Sequence, residues 1–214
     1  MILGVDHLAL TTNDLDSTHR SLVSQGFECV FMERDVKNHS AKRLMLHDFQ
    51  PVHDLALYRA ESGVAIEVTR HGATCGPVQA PFDYERDVVT LHTEDVSCEQ
   101  GFLKAALQFR EKEAGLCLES PVPRWTCRLH LAQRAGGRAY TLDSPGYPCM
   151  AFLTNKLQDD LHASLDKGGT DAVGPFEVVV GGKELMVAMF RSPTGIIYEL
   201  IEIQKQGKRH TKND

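Results

Sequence analysis

The sequence predicts an α+β fold built from repeated strand–helix–strand units. Two observations predict it. Short apolar segments bounded by turn residues read as strands, and stretches with apolar residues at helical spacing fall between them. The same arrangement then recurs along the chain. The segment Asp6-His7-Leu8-Ala9-Leu10-Thr11-Thr12-Asn13 lines up with Pro148-Cys149-Met150-Ala151-Phe152-Leu153-Thr154-Asn155, an offset of 142 residues (6 to 148). Further on, Ser62-Gly63-Val64-Ala65-Ile66-Glu67 lines up with Thr194-Gly195-Ile196-Ile197-Tyr198-Glu199, an offset of 132 (62 to 194). The later copy is therefore about ten residues shorter in its middle.

In the first copy, Val5 to Thr11 is apolar with polar breaks and suits a strand. Asn13-Asp14-Leu15-Asp16-Ser17 supplies oxygens that accept from the free amides of a helix start. Leu15, His19, Leu22 and Val23 continue at helical spacing, and Gly26 ends the helix where the chain must turn left-handed. Phe27 to Met32, Leu44-Met45-Leu46, Leu55 to Tyr58 and Val64 to Thr69 read as strands, with Glu61-Ser62-Gly63 as a turn. A linker follows from His71 to Asp83, rich in Gly and Pro. A fainter middle copy starts at Thr93-Glu94-Asp95-Val96, with a helix predicted from Cys98 to Lys112 on the spacing of Phe102, Ala105, Ala106 and Phe109. Strand-like pieces follow at Leu116–Glu119, Thr126–Leu131 and Arg138–Leu142. The strand at Cys149–Leu153 reads both as the end of this copy and as the start of the last. The predicted organisation is a first βαβββ module over 1–72, a linker with a βαββ block over 73–146, a last βαβββ module over 147–204, and a polar tail over 205–214. Gly136-Gly137 and Gly181-Gly182 read as hairpin turns, because no phosphate-loop context surrounds them.

Composition narrows the function. The chain has 214 residues, 42% hydrophobic and 24% charged, which is ordinary for a globular protein with a full core. Lys and Arg number 23 against 29 Asp and Glu, for a net charge of −6. That balance lacks the basic surplus of a nucleic-acid binder. No apolar run approaches the ~20 residues of a membrane helix, and Met1 to His7 reads as a strand instead of a leader. The six cysteines form no Cys-x-x-Cys pair, so reduced thiols in a cytoplasmic protein are expected.

A repeated βαβββ unit that opens on Asp6-His7-Leu8-Ala9-Leu10 and closes on Gly63-Val64-Ala65-Ile66-Glu67 resembles the vicinal oxygen chelate superfamily. That group holds glyoxalase I, extradiol ring-cleaving dioxygenases, fosfomycin-resistance proteins and bleomycin-binding proteins. The resemblance covers Val5–Arg70 and Cys149–Glu202 well and the middle block weakly. It implies a cup-shaped mixed β-sheet with helices packed outside, and a metal held by the first and last strands of each module. Carried over by position, the ligands are His7, Glu67, Cys149 and Glu199; the middle copy offers Val88 and Met150. Cys149 stands where the family often has His. It reads either as a thiolate ligand or as a small apolar core residue.

The donor chemistry can be judged separately. A Glu among Ile66 and Val68 is unfavourable to bury unless paired or metal-bound. One imidazole and two carboxylates suit a divalent ion such as Zn, Fe(II), Mn, Ni or Co. The expected activity is that of a metal-dependent lyase or isomerase on a small oxygen-rich molecule, with Glu67 or Glu199 moving a proton; a ring-cleaving dioxygenase is the variant within this class. The alternative is a metal-free binding protein of the bleomycin-resistance type. A small-molecule ligand is the expected partner, and a homodimer is a second way to build the cup. His39, His47 and His53 read as surface residues or as lining of the cup mouth. His71, Arg43 and Arg191 read as surface residues or substrate contacts, and Trp125 and Tyr58 as core or pocket lining.

Overall fold

The computed structural model describes residues 1–72, 76, 78–85, 88–113, 115–134 and 140–204. Cys75, Pro77, Gly136-Gly137, Arg138 and the predicted tail over 205–214 lie outside the described residues. The first module runs β1 (Ile2–Thr11), α1 (Leu15–Ser24), β2 (Glu28–Lys37), a short 3-10 helix (Ser40–Met45), β3 (Val52–Arg59) and β4 (Ala65–Arg70). The middle block runs β5 (Phe82–Glu85), β6 (Val88–Thr93), α2 (Val96–Ala106), β7 (Arg110–Lys112), β8 (Gly115–Leu118) and β9 (Cys127–Gln133). The last module runs β10 (Gly146–Thr154), α3 (Leu157–Asp166), β11 (Thr170–Val180), β12 (Lys183–Arg191) and β13 (Ile197–Ile203).

Local chemistry sets these bounds. Asp14 caps α1 by accepting from the Ser17 amide, and Asp95 caps α2 by accepting from that of Cys98. Lys156 offers α3 no such cap; the Leu157 amide instead donates to Glu202 at 2.9 Å. Gly181 and Gly182 both have positive φ and join β11 to β12 in a two-residue turn.

Eight strands line up as β2-β3-β4-β1-β10-β13-β12-β11 and form the cup. In each half the first and last strands are parallel, in matching register. His7 lies opposite Ala65 and Ala9 opposite Glu67; Cys149 lies opposite Ile197 and Ala151 opposite Glu199. The halves join through antiparallel β1 and β10, with His7 opposite Ala151 and Ala9 opposite Cys149. The fold is α+β, as the repeat predicts.

Beyond β10, a second row runs β5-β6-β9-β8-β7, and Tyr147 paired with Phe82 is the rung that joins it to the cup. Here the structure corrects the sequence reading. The middle copy is a βαβββ unit, not βαββ, and closes on β9 parallel to β6. The strand at Cys149 belongs to the last module. Thr90 lies opposite His130 as Ala9 lies opposite Glu67, so His130, not Met150, stands at the glutamate position. The helix predicted to reach Lys112 ends at Ala106, because Gln108 takes a positive φ and the chain turns into β7. Leu44-Met45-Leu46 is not a strand; the His39 side chain accepts from the Ala41 amide and starts a 3-10 turn instead. A short apolar run does not distinguish these states.

Tyr198, on the outer face of β13, is fully buried against Phe82, Phe102, Phe152 and Phe190. Its hydroxyl donates to Glu99 of α2 at 2.5 Å. Ser192 donates to the same carboxylate at 2.7 Å, and Thr194 donates to it as well. Three hydroxyls thus hold one buried carboxylate and tie the middle block to the last module.

The cup's rim is completed by contact. The Gly181 amide, at the β11–β12 turn, donates to Glu33 of β2 at 2.9 Å. At the base of β1, a Cβ on Gly4 would come within 2.5 Å of the Trp125 Cβ and 2.6 Å of its carbonyl oxygen. Gly4→Ala is therefore expected to lower stability by about 1–3 kcal/mol through overpacking. Urea denaturation checks this, and an unchanged midpoint would show that the contact yields freely.

Candidate active site

On β1, His7 faces the cup, and a register irregularity between Val5 and His7 interrupts strand alternation there. Asp6 consequently reaches His7, with its carboxylate 3.0 Å from Nδ1. That contact holds a proton on Nδ1 and leaves Nε2 facing the cup. Nε2 is buried without a hydrogen-bond partner. It stands 3.7 Å from Glu67 Oε1 and 3.9 Å from Glu199 Oε2. These gaps are too long for hydrogen bonds. The site thus gathers one imidazole and three carboxylates, with each half of the cup supplying one glutamate.

The charges respond to one another. Burial pushes the His7 imidazole down, but Glu67, the bonded Asp6 and Glu199 outweigh it and hold its pKa up at about 9. Burial pushes Asp6 up, but its hydrogen bond to His7 and that residue's charge hold it below the usual carboxylate range. Glu199 is raised, chiefly by burial, although Lys42 and His7 pull it back.

Two recesses meet at His7 and Glu67. The first, about 530 Å³, is also lined by Glu199, Lys42, His39 and His53, with an apolar wall of Val178, Leu185 and Val187. The second, about 480 Å³, adds Asp6, Arg59 and Lys183. Cys149 lies elsewhere. It is fully buried with Ala9, Met45, Leu46, Ala151 and Ile197, and burial pushes its thiol well above the usual value. Met45 and Leu142 plug that half, and the Leu142 amide donates to the Met45 carbonyl at 2.7 Å. The two halves are alike in backbone, but Cys149 sits in this packed cluster whereas His7 opens onto recesses lined from both halves. Among the described residues, no three His, Cys, Asp or Glu side chains already stand at the spacing of a formed metal centre.

His39 and His53 line the first recess, and His71 packs edge-on to His53 with ring centroids 5.5 Å apart. His47 is exposed. Arg43 covers the Phe49 ring at 4.3 Å, and Arg191 donates to the Tyr140 and Gly195 carbonyls, so both serve packing. Trp125 packs against Gly4, and Tyr58 is fully buried with its hydroxyl 3.0 Å from His19 Nδ1. Sequence reasoning passed over Asp6 and Lys42. The Asp-His dipeptide was the available signal for Asp6; Lys42 had none, because its segment reads as the approach to a strand.

The tandem βαβββ modules, with parallel first and last strands forming a cup, have the architecture that the sequence resemblance implies. No protein-family model matches the sequence, and no curated protein matches it. Solved structures resemble it distantly. Glyoxalase I from Zea mays is 16% identical, with 93% of this chain and 67% of that one covered and a TM-score of 0.42. A putative dioxygenase from Bacillus subtilis is 9% identical, with 95% and 64% covered and a TM-score of 0.41. A glyoxalase/bleomycin resistance protein/dioxygenase family enzyme from Burkholderia phytofirmans is 10% identical, with 55% and 98% covered and a TM-score of 0.39. Among the described residues no helix is long and apolar enough to cross a membrane.

Proposed function

We propose that this chain is a metal-dependent enzyme, of the lyase or isomerase kind, acting on a small oxygen-rich substrate. The supporting observation is the buried, unpartnered His7 Nε2 facing Glu67 and Glu199. Leaving such an atom unsatisfied costs about 1–3 kcal/mol. A nitrogen with two carboxylates is a fitting donor set for Zn, Fe(II), Mn, Ni or Co. His7, Glu67 and Glu199 would hold the ion, while Cys149 stays protonated in its apolar plug. When bound, such an ion supplies Lewis acidity toward the substrate's oxygens.

The chain's own groups account for the rest. Asp6 fixes the orientation of His7 and its Nδ1 proton. Glu199, with its affinity for protons raised by burial, is suited to take and return a proton at a substrate carbon. The wall of Val178, Leu185 and Val187 excludes water from that transfer.

A metal-free binding protein is the competing reading, favoured by Cys149 at the position matching His7 and by the lack, among the described residues, of a formed three-residue centre. Metal analysis of protein purified without chelator separates the two. The enzyme reading expects about one divalent ion per chain, lost in Glu67→Gln and in Glu199→Gln with the circular dichroism unchanged. A folded protein that neither carries nor takes up an ion would leave the binding protein standing.

A further inference from the structure

Two cations of the second recess are idle. Among the described residues, the side chains of Arg59 and Lys183 donate no hydrogen bond, and neither stands within 4.0 Å of a carboxylate oxygen. Both line the recess that opens beside Asp6, His7 and Glu67. The acidic groups there are already engaged. The Asp6 carboxylate faces His7 Nδ1 at 3.0 Å. Burial pushes Asp6 up, and its bond to His7 and that residue's charge hold it down, with Arg59 and Lys183 adding to them from further off. Glu67 belongs to the ion site proposed above. The chain as a whole carries a net charge of −6, so composition alone does not place two unpaired cations on one recess.

The strands show where this recess lies. Side chains two apart on a strand share a face. On β3, His53 and Leu55 line the first recess, and Leu57 and Arg59 the second. On β13, Glu199 lines the first, Ile201 both and Ile203 the second. On β12 the same order runs Val187, Leu185 and Lys183. Three strands therefore agree that the second recess continues the cup past His7 and Glu67, on the side away from Glu199. Leu57 lies opposite Glu67, and Arg59 is the next inward residue, about 7 Å further along β3. Leu185 lies opposite Ile201's neighbour on the same face, Ile203, and Lys183 is again the next inward residue. The remaining lining is apolar, with Phe31 and Leu153 among it. An apolar recess with a few placed polar groups is the usual form of a small-ligand site, and a guanidinium matches the paired oxygens of a carboxylate or phosphate.

We propose that Arg59 and Lys183 bind an acidic group of the substrate, a carboxylate or a phosphate, while its vicinal oxygens face the ion site. The substrate class is then a small acid whose charged group is separated from those oxygens by a short apolar chain. This rests on the reading of His7, Glu67 and Glu199 as the place of the ion. A chain of about five or six carbons spans the step of about 7 Å from the level of Glu67 to that of Arg59.

Isothermal titration calorimetry on the full chain, with Mn(II) added and again after chelator treatment, tests this. The acidic probes are 2-oxoadipate and its phosphonate counterpart 2-oxo-5-phosphonopentanoate. The reference is 2-oxohexanoate, in which a methyl group replaces the far carboxylate. The acidic probes should bind about tenfold more tightly or better, as a charge-assisted contact gives, and the tighter of the two identifies the acid. Arg59→Gln should erase most of that preference and Arg59→Lys should keep part of it. Lys183→Gln should narrow it independently. Arg59 is half-buried and Lys183 exposed, so these variants should fold, which circular dichroism checks. Equal binding of the acidic probes and 2-oxohexanoate, a preference untouched by Arg59→Gln and Lys183→Gln, or no binding of any probe would overturn the inference. A preference that is the same with and without Mn(II), in a chain that takes up no ion, would keep the acid site and remove the metal-dependent reading. Ion uptake with no preference for the acidic probes would do the reverse.

Discussion

Tyr198→Ala is expected to leave the chain unfolded or close to it at room temperature. Its ring fills the space between Phe82, Phe102, Phe152 and Phe190, and all of it is buried. Removing such a side chain costs about 3–5 kcal/mol through lost burial and the cavity left behind. The hydroxyl adds to this. Glu99 is buried, with no salt bridge among the described residues, and is held by the hydroxyls of Tyr198, Ser192 and Thr194. Burial raises its pKa, and those hydroxyls pull it back down. A hydrogen bond to such a group is worth about 1.5–3 kcal/mol. Total stabilities are about 5–15 kcal/mol, so the combined loss removes much of the margin. Urea denaturation of Tyr198→Phe beside Tyr198→Ala separates hydroxyl from ring. If Tyr198→Ala unfolds within a few tenths of a molar of the parent, the aromatic cluster is not the centre of stability.

The second large effect is acid sensitivity of the metal-free protein. Burial, then the charge of Lys42, depresses the His53 imidazole to about 2 and that of His71 to about 3. In the unfolded chain both titrate near their ordinary value of about 6.5. Below that pH the unfolded state binds protons that the folded state refuses, so stability falls as pH falls. Each histidine contributes up to about 1.4 kcal/mol per pH unit in that window, and the pair together removes several kcal/mol by about pH 4.5. His7 acts with the opposite sign. Its pKa is held up at about 9, so its contribution is present below about 6.5 and is lost as pH rises through 9. Stability should therefore peak near pH 6.5, with the steeper fall on the acid side. Urea midpoints from pH 4.5 to 9 in chelator measure the curve, and His71→Gln should flatten the acid limb. A flat profile between pH 4.5 and 6.5 would show that water reaches these rings and relieves their burial.

The repeat was the legible part of this protein. A strand pattern copied at an offset of 142 residues placed β1 and β10 in equivalent roles, and the matching registers of the two parallel pairs agree with it. His7, Glu67 and Glu199 are found together because they sit at equivalent ends of paired strands, which a one-dimensional repeat can record. What escaped is what depends on neighbours far along the chain. The irregularity that turns Asp6 toward His7 leaves no mark on the alternation of Val5, His7 and Ala9. Lys42 reaches the cup on a 3-10 helix that a short apolar run does not announce. Glu99 sat on a predicted helix with nothing to show that hydroxyls from residues 192, 194 and 198 would surround it. The plug that confines Cys149 comes from Leu142 and from Met45, the latter 104 positions away (45 to 149).

The rim contact between Gly181 and Glu33 bears on how much the cup can hold. A closed barrel fixes its bore through a full ladder of backbone bonds, and widening it means breaking a strand pair. Here β2 and β11 end the row of eight and face each other across the recess, bridged at the β11–β12 turn by one amide-to-carboxylate bond. The distance between the two edges is therefore set by side chains instead of by the ladder. The His39 ring stacked on Phe176 of β11 and the Phe31 ring beside Gly181 span the same gap, so the bore is set by a few side chains that can be changed one at a time while every rung of the sheet stays intact.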